Sequence, residues 1–339
     1  MKEAHWQFYP IDKFNSWINQ WDLLNKQTHY TPLLDSDFIL PLISAFSTGK
    51  EKIAIHGSDS KPEAMAIIVE SSIGNWSTFQ PSQAPIGCWL QNRNKTTEFY
   101  MESLRKELPF PALCFSITQQ DPDILAKPQQ SKLLTIPYIE TARVSLTGTF
   151  DDYWGSRGKN LRQNLNKQRN RLTREGFSTK LITLTKAEDI NASIEAYGNL
   201  ESAGWKSEGN TAISINNVQG QFYVDMLTRF ASRKKCMVYQ YWYNEDLVAT
   251  DLCITGGGAI IILKTTYDET IKISSPALLM RQDAFRELFE IKYIQRVEFY
   301  GKVMEWHTRW SDEVRQMYHI NSYSMAGTFF RKIKKIIRK

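Results

Sequence analysis

At 339 residues and 39.3 kDa the chain is too long for one compact α/β unit and comfortable for two units of about 150 residues each. Apolar residues make up 42% and charged residues 23%, and no run approaches the roughly 20 apolar residues that span a bilayer, so coiled coil, collagen, repeat array and membrane channel are excluded. The net charge of +6 is uneven, with 13 basic and 15 acidic residues over 1–150 (−2) against 29 and 21 over 151–339 (+8).

The N-terminal stretch MKEAHWQFYP has no apolar signal core, and Cys88, Cys114, Cys236 and Cys253 form no CxxC pair and have no His cluster beside them. A reducing, cytoplasmic setting is therefore expected, with no zinc site and no disulfide framework.

In chain order, Ile11 to Leu24 has helical spacing, with Phe14, Trp17, Ile18, Trp21 and Leu24 on one side. Asp35 or Ser36 caps a second helix through Phe46, and Gly49 is expected to end it. EKIAIHGSD and EAMAIIVES read as a strand pair around a polar turn. Thr96 to Leu108 reads as a helix, PALCFSIT as a buried strand and QQDPDILAKPQQSK as a surface loop.

Asp151 to Arg174 is a long basic helical stretch with breaks expected at Gly155 and Gly158. Phe177 to Leu184 is a strand, and Lys186 to Ser202 and Asn217 to Arg233 are helices. Three strands follow, CMVYQYWYN, DLVATDLCIT and AIIILKTTYD, joined by hairpin turns at Asn244-Glu245-Asp246 and Gly256-Gly257-Gly258. Ser274-Ser275-Pro276 then opens a helix to about Glu290, RVEFY is a short strand, and a last strand lies near Gln316 to Ile320.

Two stretches hold the basic excess: Asp151 to Lys180, with 8 basic and 3 acidic residues, and the tail RKIKKIIRK, with 6 basic and none acidic. Phe329, Phe330, Ile333, Ile336 and Ile337 share one helical face, so the tail reads either as a helix lying on anionic lipid or as a solvated chain end.

The start of the helix at Ser274, Ser275, Pro276, Ala277, Leu278 and Leu279 follows directly from a strand, and its free N–H groups suit a phosphate; an ordinary Ser-Pro helix start reads the same way. Glu201, Trp205 and Lys206 close a helix into a polar loop suited to a polar ligand, with Trp205 packing back on the helix as the alternative. Asp251 within its strand and Glu298 at a strand end are candidate bases, and Tyr267 is a candidate acid; each could equally be a hydrogen-bonded structural group.

The order of elements in the second half, β-α-α-β-β-β-α-β, is that of the GNAT acyltransferase fold. Four segments in that order carry a closer resemblance: YWGSRGKNLRQNLNKQRNRLTREG, ESAGWKSEGNTAI with QFYVDMLTRFA, YDETIKISSPALLMRQDAF, and VEFYGKVMEWHTRW. Together they resemble the CelD/BcsL-like acetyltransferases, a GNAT branch related to the FemABX peptidyltransferases. The departures are Ala277 where the family usually has Gly, Glu298 where Asp is common, and Glu305-Trp306 in place of a Tyr-Lys pair.

The resemblance implies an α/β (α+β) chain of tandem GNAT-like domains, each a mixed, mostly antiparallel sheet flanked by helices. These would be a degenerate domain over 1–142, an acyltransferase domain over 143–324 and a basic amphipathic tail over 325–339. It implies acetyl-CoA or another acyl-CoA as donor, no metal, and N- or O-transfer to an amino sugar or polysaccharide precursor in envelope or exopolysaccharide synthesis. Asp251 or Glu298 would be the base and Tyr267 the acid. Ser274 to Leu279 would hold the pyrophosphate, and Glu201, Trp205, Lys206, Arg309 and Trp310 would line the acceptor side. The alternatives are a FemABX-like transferase using aminoacyl-tRNA and a non-catalytic scaffold at the inner membrane face.

Overall fold

A computed structural model describes residues 5–202 and 213–337. Two compact units emerge, unit 1 comprising residues 1–140 and 315–339 and unit 2 comprising residues 141–314.

Unit 1 begins with β1 (Trp6–Pro10), and a 3-10 turn over Ile11–Trp17 then leads into α1 (Ile18–Thr28). Phe14, Trp17, Trp21 and Leu24 are buried, as the helical spacing requires. In α2 (Ser36–Phe46) the Asp35 carboxylate accepts from the Asp37 N–H, which satisfies one of the first-turn donors. Gly49 does not end α2. Ser47 is already extended and the Thr48 N–H is held by the Glu51 carboxylate at 3.0 Å, so a side chain pulls the backbone out of the helix two residues early.

The unit continues with β2 (Lys52–Ser58), β3 (Lys61–Ser72), β4 (Asn75–Thr78), β5 (Trp89–Gln91), α3 (Thr97–Glu107), β6 (Cys114–Gln120) and the first part of β7 (Leu134–Ser145). Thr96 caps α3 by accepting from the Phe99 N–H. In this unit the strands lie in the order β1-β2-β3-β4-β6, and β5 pairs with β3.

Unit 2 holds α4 (Phe150–Ser156), α5 (Lys159–Arg174), β8 (Thr179–Leu184), α6 (Ile190–Ser202), α7 (Val218–Ser232), β9 (Cys236–Tyr243), β10 (Asp246–Gly256), β11 (Ala259–Tyr267), α8 (Pro276–Glu290), β12 (Arg296–Glu298) and α9 (Glu305–Thr308). The break between α4 and α5 falls at Arg157, which is extended, and at Gly158, the N-cap of α5, as expected there, whereas Gly155 stays inside α4. Asn244 at φ 51° and Gly257 and Gly258 at φ 57° and 73° supply the left-handed positions that two-residue hairpins require. The strand order is β7-β12-β11-β10-β9-β8.

The chain returns to unit 1 through β13 (Glu313–Tyr323), which pairs antiparallel with β6, and ends in α10 (Met325–Ile337). Each unit therefore repeats one order: a strand, two helices, a three-strand meander, a helix and a strand parallel to the last of the meander. The parallel pairs are β4–β6 and β11–β12, and every other pair described within a unit is antiparallel. A parallel partner cannot be reached by a hairpin, which is why α3 and α8 cross over at those points.

Each unit has its own core. Trp6, Trp89, Tyr100, Phe115 and Tyr318 anchor that of unit 1, and Tyr239, Tyr241, Leu279, Phe285 and Trp310 that of unit 2.

Candidate active site

The parallel pair in unit 2 is short. Ala259, Ile260 and Ile261 of β11 pair with Arg296, Val297 and Glu298 of β12, and there the ladder stops. β11 continues to Tyr267, and Ile262 to Thr265 remain partly exposed. The register on its other side shifts at the same place: Leu252 of β10 faces Lys264 and Cys253 faces Ile262, leaving Leu263 as a bulge. A bulge re-aims backbone groups and increases local twist, so it fits the point where two strands diverge.

From the end of β11 the chain passes through Ser274 into α8. Ser275 is the N-cap but makes no side-chain cap bond, and Pro276 occupies the first helical position, where a missing N–H costs nothing. The Ser275 N–H donates to Gln168 Oε1 of α5 at 2.8 Å, and the Ser274 and Tyr243 hydroxyls lie 2.8 Å apart. Pro276 and Leu279 are buried, whereas Ala277 and Leu278 are half-buried. Arg169 of α5 binds Asp283 Oδ1 at 2.6 Å and Gln282 Oε1 at 2.9 Å, so α5 clasps the first turns of α8.

Asp251 of β10 and Arg281 of α8 form a buried ion pair, each 2% exposed. Arg281 Nη2 donates to both carboxylate oxygens at 2.9 and 3.1 Å, and Thr265 Oγ1 of β11 donates to Oδ1 at 2.5 Å. Burial pushes the Asp251 carboxyl up from its ordinary range, and Arg281 and Thr265 hold it back down. The guanidinium also lies 5.4 Å from the Phe299 ring and 5.2 Å from the Trp306 ring. Trp306 stacks on His307 at 3.6 Å. His307 Nδ1 accepts from the Met304 N–H, and burial together with the Arg281 charge lowers its pKa to about 4. The imidazole is thus neutral near pH 7.

Glu298 ends β12 where the ladder stops; it is 2% exposed and accepts from Arg296 Nε at 3.0 Å. Tyr267 ends β11 with its side chain 42% exposed. Glu201, at the end of α6, accepts from the Ile213 N–H at 2.8 Å, tying together the two ends of the loop between them. Trp205 and Lys206 lie outside the described residues. Arg309 is bound to Glu305 at 2.7 Å on the surface. Trp310 is wholly buried, stacked on Trp154 and edge-on to Phe285, so it is part of the unit 2 core.

Unit 1 has a cleft of about 820 Å³ at the start of α3, lined by His29, Asn92, Arg93, Lys95, Thr96 and Ile124. None of the candidate site residues read from the sequence lies there.

Residues 159–308, somewhat under half of the chain, match the family model described as the acetyltransferase (GNAT) domain. The chain carries a GNAT-type acyltransferase domain. The matched stretch runs from the start of α5 to the end of α9 and contains the ladder end, the bulge and the start of α8. No curated protein matches the chain.

Several solved structures share the fold. One is the C-terminal domain of a protein assigned as a lysylphosphatidylglycerol synthetase from Agrobacterium fabrum, at TM-score 0.57 and 11% identity, covering 95% of this chain and 97% of that one. L-PGS from Bacillus licheniformis gives 0.53 and 14%, covering 92% and 94%. FemX gives 0.57 and 9%, covering 95% and 98%.

Arg281, Thr265, Gln168 and the bulge at Leu263 were not singled out from the sequence. Arg281 and Asp251 are 30 residues apart on a helix and a strand, and only packing joins them. The one local signal was the cost of a carboxylate inside a buried strand.

Proposed function

We propose that unit 2 transfers an acyl group, in the first instance acetyl, from an acyl-CoA thioester to an amine or hydroxyl, and that the acceptor is an amino sugar or polysaccharide precursor, as in the CelD/BcsL-like branch. The observation that carries this reading is the opened parallel pair: β11 runs past its last rung with β12, bulges at Leu263, and feeds directly into α8. An extended pantetheine arm can lie along that open edge, and the pyrophosphate then meets the start of α8 within Ser274 to Leu279, where the Ser274, Ser275 and Ala277 N–H groups can donate (Leu278 and Leu279 already donate to the Ser275 carbonyl) and the helix dipole favours negative charge. Gln168 occupies the Ser275 N–H in the free protein and would yield it to the phosphate.

In the reaction the acceptor nitrogen or oxygen attacks the thioester carbonyl. Glu298, at the mouth of the opening, takes the acceptor proton, and a backbone N–H turned by the bulge holds the developing oxyanion. The thiolate then leaves and takes a proton from Tyr267. Asp251 is proposed to position Arg281, since both its oxygens are engaged there. Arg309, with Trp205 and Lys206, would meet the acceptor, and the basic tail would hold the enzyme at the anionic inner face of a membrane, where envelope polymers are built.

Isothermal titration with acetyl-CoA, longer acyl-CoAs and free CoA tests the donor. Saturable binding, weakened by Pro276→Gly, is expected; no binding to any of them would overturn the acyl-CoA reading and leave a tRNA-borne or carrier-protein donor, or a scaffold. Turnover lost in Glu298→Gln but kept in Asp251→Asn is expected, and the reverse moves the base to Asp251.

A second reading, an aminoacyl-tRNA-dependent transferase, is favoured by α5. Lys159–Arg174 carries six basic and no acidic residues, with Leu161, Leu165 and Leu172 inward and Lys159, Lys167, Arg171 and Arg174 exposed. The fold shared with FemX suits it as well. Retention on immobilised tRNA that falls steeply with salt would favour it.

A further inference from the structure

Among the described residues, the three most exposed large apolar side chains are Phe110 (98%), Met325 (93%) and Ile73 (81%). They belong to three segments of unit 1 that are far apart in sequence. Ile73 is in the tight turn between β3 and β4, Phe110 in the loop between α3 and β6, and Met325 at the start of α10.

The backbone of Leu113 ties these segments together. Its N–H donates to the Gly74 carbonyl at 2.8 Å, and its carbonyl accepts from the Ser324 N–H at 2.9 Å. The helix approaches so closely that a Cβ on Gly327 would collide with the Leu113 carbonyl, and one on Gly74 with that of Pro111. Phe329 and Phe330 of α10 are exposed as well, 60% and 53%. The turn, the loop and the helix start are therefore fixed neighbours with their apolar side chains standing in solvent.

The Glu70 carboxylate lies at the Ile73 turn, where it accepts from the Gly74 N–H at 2.8 Å, but the charge of the adjoining tail has one sign. From Ser324 to Lys339 the sequence holds six basic residues and no acidic one. We infer that unit 1 carries a docking surface for an anionic lipid bilayer, built from Ile73, Phe110, Met325, Phe329 and Phe330 beside the basic stretch Arg331–Lys339. This deepens the membrane-face placement of the tail by adding two loops that enter the interface with it. Single apolar side chains standing proud of the backbone suit a soft, flat partner into which each sinks by itself. The six cations of the tail sequence match anionic headgroups.

The test is flotation of the full chain with vesicles of phosphatidylcholine alone and of phosphatidylcholine with phosphatidylglycerol. Binding to the anionic vesicles only, weakened by added salt, is expected. The double variant Ile73→Ser with Phe110→Ser should bind about tenfold more weakly, each lost side chain removing buried apolar area, while its melting temperature is unchanged because both side chains are exposed. Deleting Arg331–Lys339 should weaken binding by about a hundredfold or more. A double variant that binds like wild type while the deletion does not would overturn the surface and leave the tail as sole anchor. No wild-type binding would overturn both. A double variant that instead shifts a dimer to monomer, with vesicle binding intact, would reassign the patch to self-association.

Discussion

In unit 1 the parallel pair β4–β6 pairs from Asn75 to Ser77 and is then closed, whereas in unit 2 the parallel pair β11–β12 ends at Ile261 and stays open. The chain after β4 folds back in unit 1. Gly87 donates its N–H to the Thr118 carbonyl at 3.1 Å, and the Thr78 and Thr118 hydroxyls meet at 2.8 Å. A side chain on Gly87 would collide with both threonines. In unit 2 no inserted strand comes after β11, and the chain goes straight to the start of α8. One order of elements thus yields a filled wedge in one unit and an open strand edge in the other. The difference lies in the segment that leaves the last strand of the meander.

The largest effect is expected at the ion pair that braces the open side. Arg281→Met leaves the Asp251 carboxylate buried without its partner and should cost about 3–5 kcal/mol in chemical unfolding. A smaller change would mean that the Asp251 carboxyl simply takes up a proton. Deleting Leu263 joins Ile262 to Lys264 in a regular ladder, so Thr265 and Tyr267 keep their β10 partners while the backbone N–H that the bulge turns is lost. Acyl transfer should then fall by about a hundredfold or more, on the order of losing one oxyanion donor. Full turnover in that variant would break the comparison at its centre.

Gly87→Ala tests the closed side. It forces a methyl between two threonines and should destabilise the chain by about 1–3 kcal/mol, with acyl-CoA affinity unchanged. Lost affinity would mean that the wedge of unit 1 serves the site.

The smallest effect is a pH slope present in both units. Burial lowers His29 in unit 1 and His307 in unit 2 to about 4, so both stay neutral when folded but protonate near 6.5 once unfolded. The unfolded chain therefore binds more protons between pH 6.5 and 4. Stability should fall as pH drops through that window, by on the order of 1 kcal/mol per pH unit for each histidine. Denaturant titrations at pH 7, 6 and 5 measure it, and His307→Gln should remove only the unit 2 share.

Much of the fold was legible because its signals are local. The cap at Asp35, the helix starts near Thr96 and Asn217, the Ser-Pro start of α8, the hairpin turns and the apolar spacing of α1 and α7 each depend on a few adjacent residues. The strands β1, β4, β5 and β7 were not legible. β4 and β5 are four and three residues long, too short for a period to show, and β7 contains Pro137. For the candidate site, sequence reading reached the start of α8 and the carboxylates Asp251 and Glu298 but missed what each carboxylate binds.

By itself, then, the sequence determined where chain segments turn, start and stop, since helix caps, left-handed turn positions and apolar periods act over one to four residues. Only the tertiary structure decided which wedge is filled, that Asp251 faces Arg281, and that Leu263 bulges. Those outcomes depend on the register between strands and on side chains brought together across 14 to 30 residues, and no local preference encodes such distances.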